Sequence, residues 1–93
     1  MSSQIQVTLA EVKMLAGIKG VDILVDGEKR QSIRFGETVS FEVDIGERAI
    51  QAVLHGVVVR KSKVLPIVAT EGAQLEIDAK YSRLWGNIKL KLS

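Results

Sequence analysis

A period-two alternation of apolar and polar residues, cut by glycine at nearly even intervals, constrains this chain more than any other feature. Gly27, Gly36, Gly46 and Gly56 fall nine, ten and ten residues apart. Turn signals at this spacing between alternating segments mark an all-β sandwich or barrel. The clearest segment runs from Thr38 to Ile45. Val39, Phe41, Val43 and Ile45 point one way, and Thr38, Ser40, Glu42 and Asp44 the other, as in a strand with one dry and one wet face. Gln74 to Tyr81 repeats the pattern, with Leu75, Ile77, Ala79 and Tyr81 inward. So does Asn87 to Leu92, with Ile88, Leu90 and Leu92 inward, and near the start Ile5, Val7 and Leu9 alternate with Gln4, Gln6 and Thr8.

Three further strands are less one-sided. Val21 to Val25 leaves Leu24 on the polar face, Ala49 to His55 leaves Val53 there, and Lys63 to Thr70 leaves Val64, Pro66 and Val68. Pro66 has no N–H for a ladder, which predicts an edge strand or a bulge. A short strand is expected from Gln31 to Phe35. Ala10 to Ile18 lacks firm alternation and reads as a loop or a single helical turn. Turns are expected at Asp26-Gly27, Gly46-Glu47, Glu71-Gly72 and Ser82 to Gly86. The expectation is a two-sheet antiparallel β-sandwich of about seven to eight short strands, one domain over residues 1–93, with a small OB-like β-barrel as the alternative.

Size and composition set the outer limits. A chain of 93 residues with 46% hydrophobic and 26% charged residues is globular, and it buries about 60–65% of its unfolded surface. There is no cysteine, so neither a disulfide nor a thiolate metal site can staple it. No apolar run approaches a membrane span, and the N-terminus has no basic and apolar leader, so a cytoplasmic protein is expected.

The net charge of +2 hides an uneven distribution. Residues 22–47 hold seven acids and three bases, whereas residues 48–93 hold eight bases and three acids. That asymmetry predicts a dipolar surface, too thin in basic charge for a dedicated nucleic-acid binder.

The series Val21 to Gly27, Ile33, Gly36-Glu37-Thr38, Phe41-Glu42-Val43, Gly46-Glu47-Arg48, Ser62, Leu65, Ile67 and Glu71-Gly72 resembles a small bacterial β-sandwich module. The layout is similar to PEGA-type and transthyretin-like accessory domains and covers residues 21 to about 80. The Pro-Glu-Gly-Ala motif itself is absent. The resemblance implies a non-catalytic module of the kind appended to larger proteins.

Candidate chemistry is sparse. A single histidine, His55, precedes Gly56 and excludes every multi-histidine metal site. No local signature supplies it with a nucleophile, so it reads as a surface residue beside a turn. Glu42 with Asp44, and Glu76 with Asp78, stand about 7 Å apart along their strands, and read as a solvated face rather than a catalytic or calcium pair. Gly17-Ile18-Lys19-Gly20 lacks the pattern and context of a phosphate loop. Neither a catalytic residue, a cofactor nor a metal is expected, and no small-molecule substrate.

What remains is a possible binding set of Arg60, Lys61, Lys63, Arg83, Trp85, Lys89 and Lys91. Trp85 reads first as a lid over one end of the core and second as an anchor for a partner. The outward apolar residues Leu24, Val53, Val64 and Val68 point to a covered surface. The expected function is a structural or interaction module, docking a protein partner or a second copy through a strand edge or sheet face. The alternative is a barrel that binds single-stranded nucleic acid or another polyanion through the basic stripe.

Overall fold

The computed structural model describes residues 2–11, 20–56, 59–82 and 87–92. Nine strands lie within them: β1 (Ser2–Leu9), β2 (Gly20–Val25), β3 (Glu28–Ile33), β4 (Thr38–Asp44), β5 (Gly46–His55), β6 (Arg60–Lys61), β7 (Leu65–Ala69), β8 (Gln74–Ser82) and β9 (Asn87–Leu92). They form a four-stranded sheet of order β4-β1-β8-β9 and a five-stranded sheet in which β3-β2-β5 continues to β6 and β7. The all-β architecture of two packed sheets is as the alternation requires. Among the described residues no helix is long and apolar enough to cross a membrane. The Ala10 to Ile18 loop falls mostly outside the described residues.

Alternation translates directly into burial. Ile5, Val7 and Leu9 of β1 are sealed from solvent, and Ile77 and Ala79 of β8 lie beside them. From the facing sheet come Val21, Ile23 and Val25 of β2, Ile50, Ala52 and Leu54 of β5, and Ile67 and Ala69 of β7. Most residues of the opposite rows lie toward water, because successive side chains leave a strand on opposite sides, although Val53 of β5 is buried there. Phe35 packs edge-on to Tyr81, with ring centroids 6.4 Å apart, and so closes one end of the core.

Among the described residues the ladders are antiparallel, with one exception. β1 pairs with β8 in parallel, Ile5 beside Leu75 and Val7 beside Ile77, while pairing antiparallel with β4. Pairing between strands so far apart in sequence has no local turn signal to announce it.

The glycine turns divide into two kinds. Asp26 and Gly27, at φ +52° and +85°, form the tight turn of the β2–β3 hairpin, where both central residues need left-handed backbone. Gly36, Gly46 and Gly72 do not close hairpins. Each carries the chain from one sheet to the other, between β3 and β4, β4 and β5, and β7 and β8. The turns at Gly46-Glu47 and Glu71-Gly72 are therefore sandwich corners. The buried Ser3 hydroxyl of β1 holds the last of these by donating to the Thr70 carbonyl.

Two bulges adjust the five-stranded sheet. Between Ile23 and Leu24 the β2–β3 register slips, leaving Arg30 as the extra residue. Along β5, Lys61 faces Val53 and Leu65 faces Ile50, so Ser62, Lys63 and Val64 stand where only Gln51 and Ala52 oppose them. Ser62 repairs that break: its Oγ accepts from Ala52 N at 2.9 Å, and its own N–H donates to Ala52 O at 2.8 Å. Pro66 lies next to the bulge on β7, which pairs only with β5, as an edge strand should.

Replacing Ile5 by Ala is expected to cost about 3–4 kcal/mol, since the cavity forms where both sheets meet. Gln4→Ala, on the opposite face of the same strand, should change stability by less than about 0.5 kcal/mol. Urea titration of the two variants checks this, and equal effects would contradict the burial of β1.

Candidate functional site

The described cations of the predicted binding set stand on two strand edges, and two of them, Lys63 and Lys89, line one cleft. β6 carries Arg60 and Lys61 at the edge of one sheet, Lys63 stands in the bulge, and β9 carries Lys89 and Lys91 at the edge of the other. These edges lie on the same side of the sandwich. Asn87 joins them, with Nδ2 donating to Lys61 O at 2.7 Å while its Oδ1 accepts from Ile88 N at 2.8 Å. Arg83 and Trp85 lie outside the described residues. Tyr81 is half-buried, edge-on to Phe35.

A cleft of about 700 Å³ opens between these edges. Val64, Leu65, Ile88 and Leu90 supply its apolar lining, and Lys63 and Lys89 stand at its rim. Exposure grows along the inward row of β9, from buried Ile88 through half-buried Leu90 to Leu92 at 43%. Val64, at 52%, continues the apolar surface on the other side. Among the described residues no acid lines the cleft. Across the ladder Lys89 faces Lys80, and Lys91 faces Asp78. Among the described residues none of these cations sits within ion-pair distance of a carboxylate.

The outward apolar residues do not make one patch. Val53 is only 7% exposed: it sits on central strand β5 with Asp22 and Lys61 on either side. Leu24 is half-buried, whereas Val64 and Val68 on the β7 side are open. The uncovered apolar surface therefore belongs to the sheet edge rather than to the sheet face.

His55 is not a lone surface residue. Its Nε2 lies 2.7 Å from Asp22 Oδ2, and Ser32 Oγ donates to Asp22 Oδ1 at 2.9 Å, with Lys29 Nζ at 3.6 Å. Burial pushes the Asp22 carboxyl up. The hydrogen bonds from Ser32 and His55 and the charge of Lys29 outweigh that and hold its pKa below the usual value.

Ser, His and Asp meet here, but with the carboxylate at the centre. Ser32 spends its proton on Asp22 rather than on the imidazole, so the nucleophile-to-base contact of acyl-transfer catalysis is not made. The cluster straps β3 and β5 to β2. Only register reveals it: Ser32 lies directly opposite Asp22, and His55 diagonally across, two residues beyond Val53.

A second polar cluster guards the opposite side of the sandwich. Arg48 donates from Nη1 to Asp26 Oδ2 at 3.1 Å, from Nε to Asp44 O at 3.0 Å and from Nη2 to Ile45 O at 3.0 Å. Ala49 N donates to Asp26 Oδ1 at 2.9 Å, and this bond, opposed by partial burial and helped by Arg48, keeps the Asp26 pKa low. Arg30, the bulged residue of β3, reaches across to the Glu42 carbonyl of β4.

The two carboxylate pairs share the outer face of the four-stranded sheet, but β1 runs between them. Glu42 faces Gln4 and Glu76 faces Gln6, so the pairs stand two strands, or about 10 Å, apart. One ion cannot bridge that distance.

No family model matches the chain, and neither a curated protein nor a solved structure matches it.

The depressed aspartates set a pH dependence. A carboxylate whose folded pKa lies below its unfolded value of about 3.9 stabilises the fold above that value, and the contribution disappears as pH falls through the folded pKa. The urea midpoint is expected to stay level from about pH 7 to 5 and to fall below about pH 4. Asp22→Asn, which keeps hydrogen-bonding groups in place but cannot titrate, should remove part of that fall. An unchanged acid profile would show that the Asp22 cluster contributes nothing.

Proposed function

We propose that this chain is a non-catalytic interaction module that docks a protein through the side formed by β9, the Ser62–Val64 bulge and β7. The observation that carries the reading is the open, apolar cleft between two strand edges, with lysines on its rim. An edge strand presents unpaired N–H and C=O groups on its free side and can accept another strand. The inward row of β9 adds apolar contacts to that template, and they become more exposed toward Leu92.

The other edges are better defended. On β4, Arg30 and Arg48 occupy the carbonyls of Glu42 and Asp44. β3 carries a run of three charged residues, Glu28, Lys29 and Arg30, while β7 carries Pro66, which cannot donate to an added strand. Clasping by Asn87 protects only the first residues of β9. The similarity in layout to small accessory sandwich modules supports the same reading.

Peptides selected from a random library on the immobilised chain should dock on β9. Amides of Leu90 and Leu92 should then gain protection from hydrogen exchange, and Val64→Asp should abolish capture. Protection confined to another surface, or no selected peptide at all, would refute the assignment.

A further inference from the structure

The occupant of the cleft follows from the charges and the register around it. This step rests on the interaction-module reading and goes beyond it to the chemistry of the partner. A strand added to β9 places its residues alternately on the two faces of the extended sheet. Residues opposite Leu90 and Leu92 enter the cleft beside Val64 and Leu65, and residues opposite Lys89 and Lys91 face water. The cleft side is apolar. On the wet side β9 itself contributes Lys89 and Lys91: Lys89 already has Lys80 across the ladder, a like-charge pair that costs free energy, and Lys91 faces Asp78. Lys63 adds charge at the opposite rim.

A second copy does not fit this edge. Antiparallel pairing of two β9 strands about Leu90 would set Lys89 against the other copy's Lys91, like charge against like. The other edge of the same sheet, β4, carries Glu42 and Asp44, but their carbonyls are already held by Arg30 and Arg48. Two arginine clasps would have to open before β4 could serve as a guest strand.

We infer that the cleft receives an extended segment of another protein, in which acidic and apolar residues alternate, added as a fifth strand beside β9. Its apolar residues fill the space between Leu90 and Val64, and its carboxylates pair with Lys89 and Lys91. The length of β9 limits the core of the contact to six residues. Because the ion pairs stand at the surface, binding weakens as salt rises.

Anisotropy titrations with the full chain test this. The probes are labelled peptides of sequence Glu-Val-Glu-Val-Glu-Val and Lys-Val-Lys-Val-Lys-Val, and an oligothymidylate of about eight nucleotides, all at about 50 mM salt. The acidic peptide should bind at least about tenfold tighter than the basic one. The double substitution K89E and K91E should invert that preference while leaving the strand signal in circular dichroism intact, since both side chains are exposed. Val64→Asp should weaken both peptides.

Equal affinity for the two peptides, with Leu90 protected in both cases, would overturn the acidic preference and leave the docking surface standing. Binding of the oligonucleotide without the acidic peptide would replace the protein partner by a polyanion. Concentration-dependent dimerisation through β9 would replace it by a second copy. No peptide binding at about 1 mM would overturn both this inference and the module reading.

Discussion

The pairing of β1 on both of its sides holds half of this sandwich together. Among the described residues β4 and the β8–β9 hairpin are joined in one sheet only through β1, and the one parallel ladder seen there is part of that connection. Its inward residues Ile5, Val7 and Leu9 are fully buried, so the hydrogen bonds that join the sheet and the contacts that join the sheets belong to the same eight residues. Because the pairing is long-range, its loop-closure entropy is met only when the core forms around it. Ser3, bonded to Thr70, ties the entry of the same strand to the corner that leads into β8.

Two packed sheets leave four edges, and the treatment of those edges shapes the surface chemistry. On the β3/β4 side, arginines clamp the carbonyls of Glu42, Asp44 and Ile45, and Asp26 anchors the Arg48 clamp. On the β7/β9 side Asn87 makes the clasp, and the bulge after Lys61 shifts the β7 register away from it. The opening between Val64 and Leu90 is the consequence. The uneven charge along the chain becomes a spatial one for the same reason: the acidic stretch builds β4 and the turns around it, and the basic stretch builds β6, the bulge and β9.

Much of this was legible residue by residue. Alternation from Thr38 to Val43, from Gln74 to Tyr81 and from Asn87 to Leu90 marks the inward rows, and Pro66 marks an edge strand. Ile45 and Leu92, expected inward by the same alternation, are 42% and 43% exposed because Ile45 lies past the end of β4 and Leu92 at the open end of β9. Glycine spacing marks where strands end but not where the chain goes next. The left-handed backbone of Gly27 closes a hairpin, and that of Gly36, Gly46 and Gly72 turns a corner between sheets. A positive φ permits either outcome; which one occurs depends on where the next apolar face finds its partner. Val53 shows the same limit, since its place on the polar side of the alternation does not reveal that β2 and β6 flank it.

Period-two patterning by itself determined the class of fold, the dry face of each strong strand and the sparse inventory of reactive side chains, because these are properties of neighbours along the chain. The strand order, the parallel β1–β8 ladder, the meeting of Ser32, Asp22 and His55, and the convergence of Lys63 with Lys89 on one cleft were decided only by tertiary structure. Those features join residues ten to seventy positions apart, and nothing local records a distance that is set by two sheets burying their apolar faces against each other.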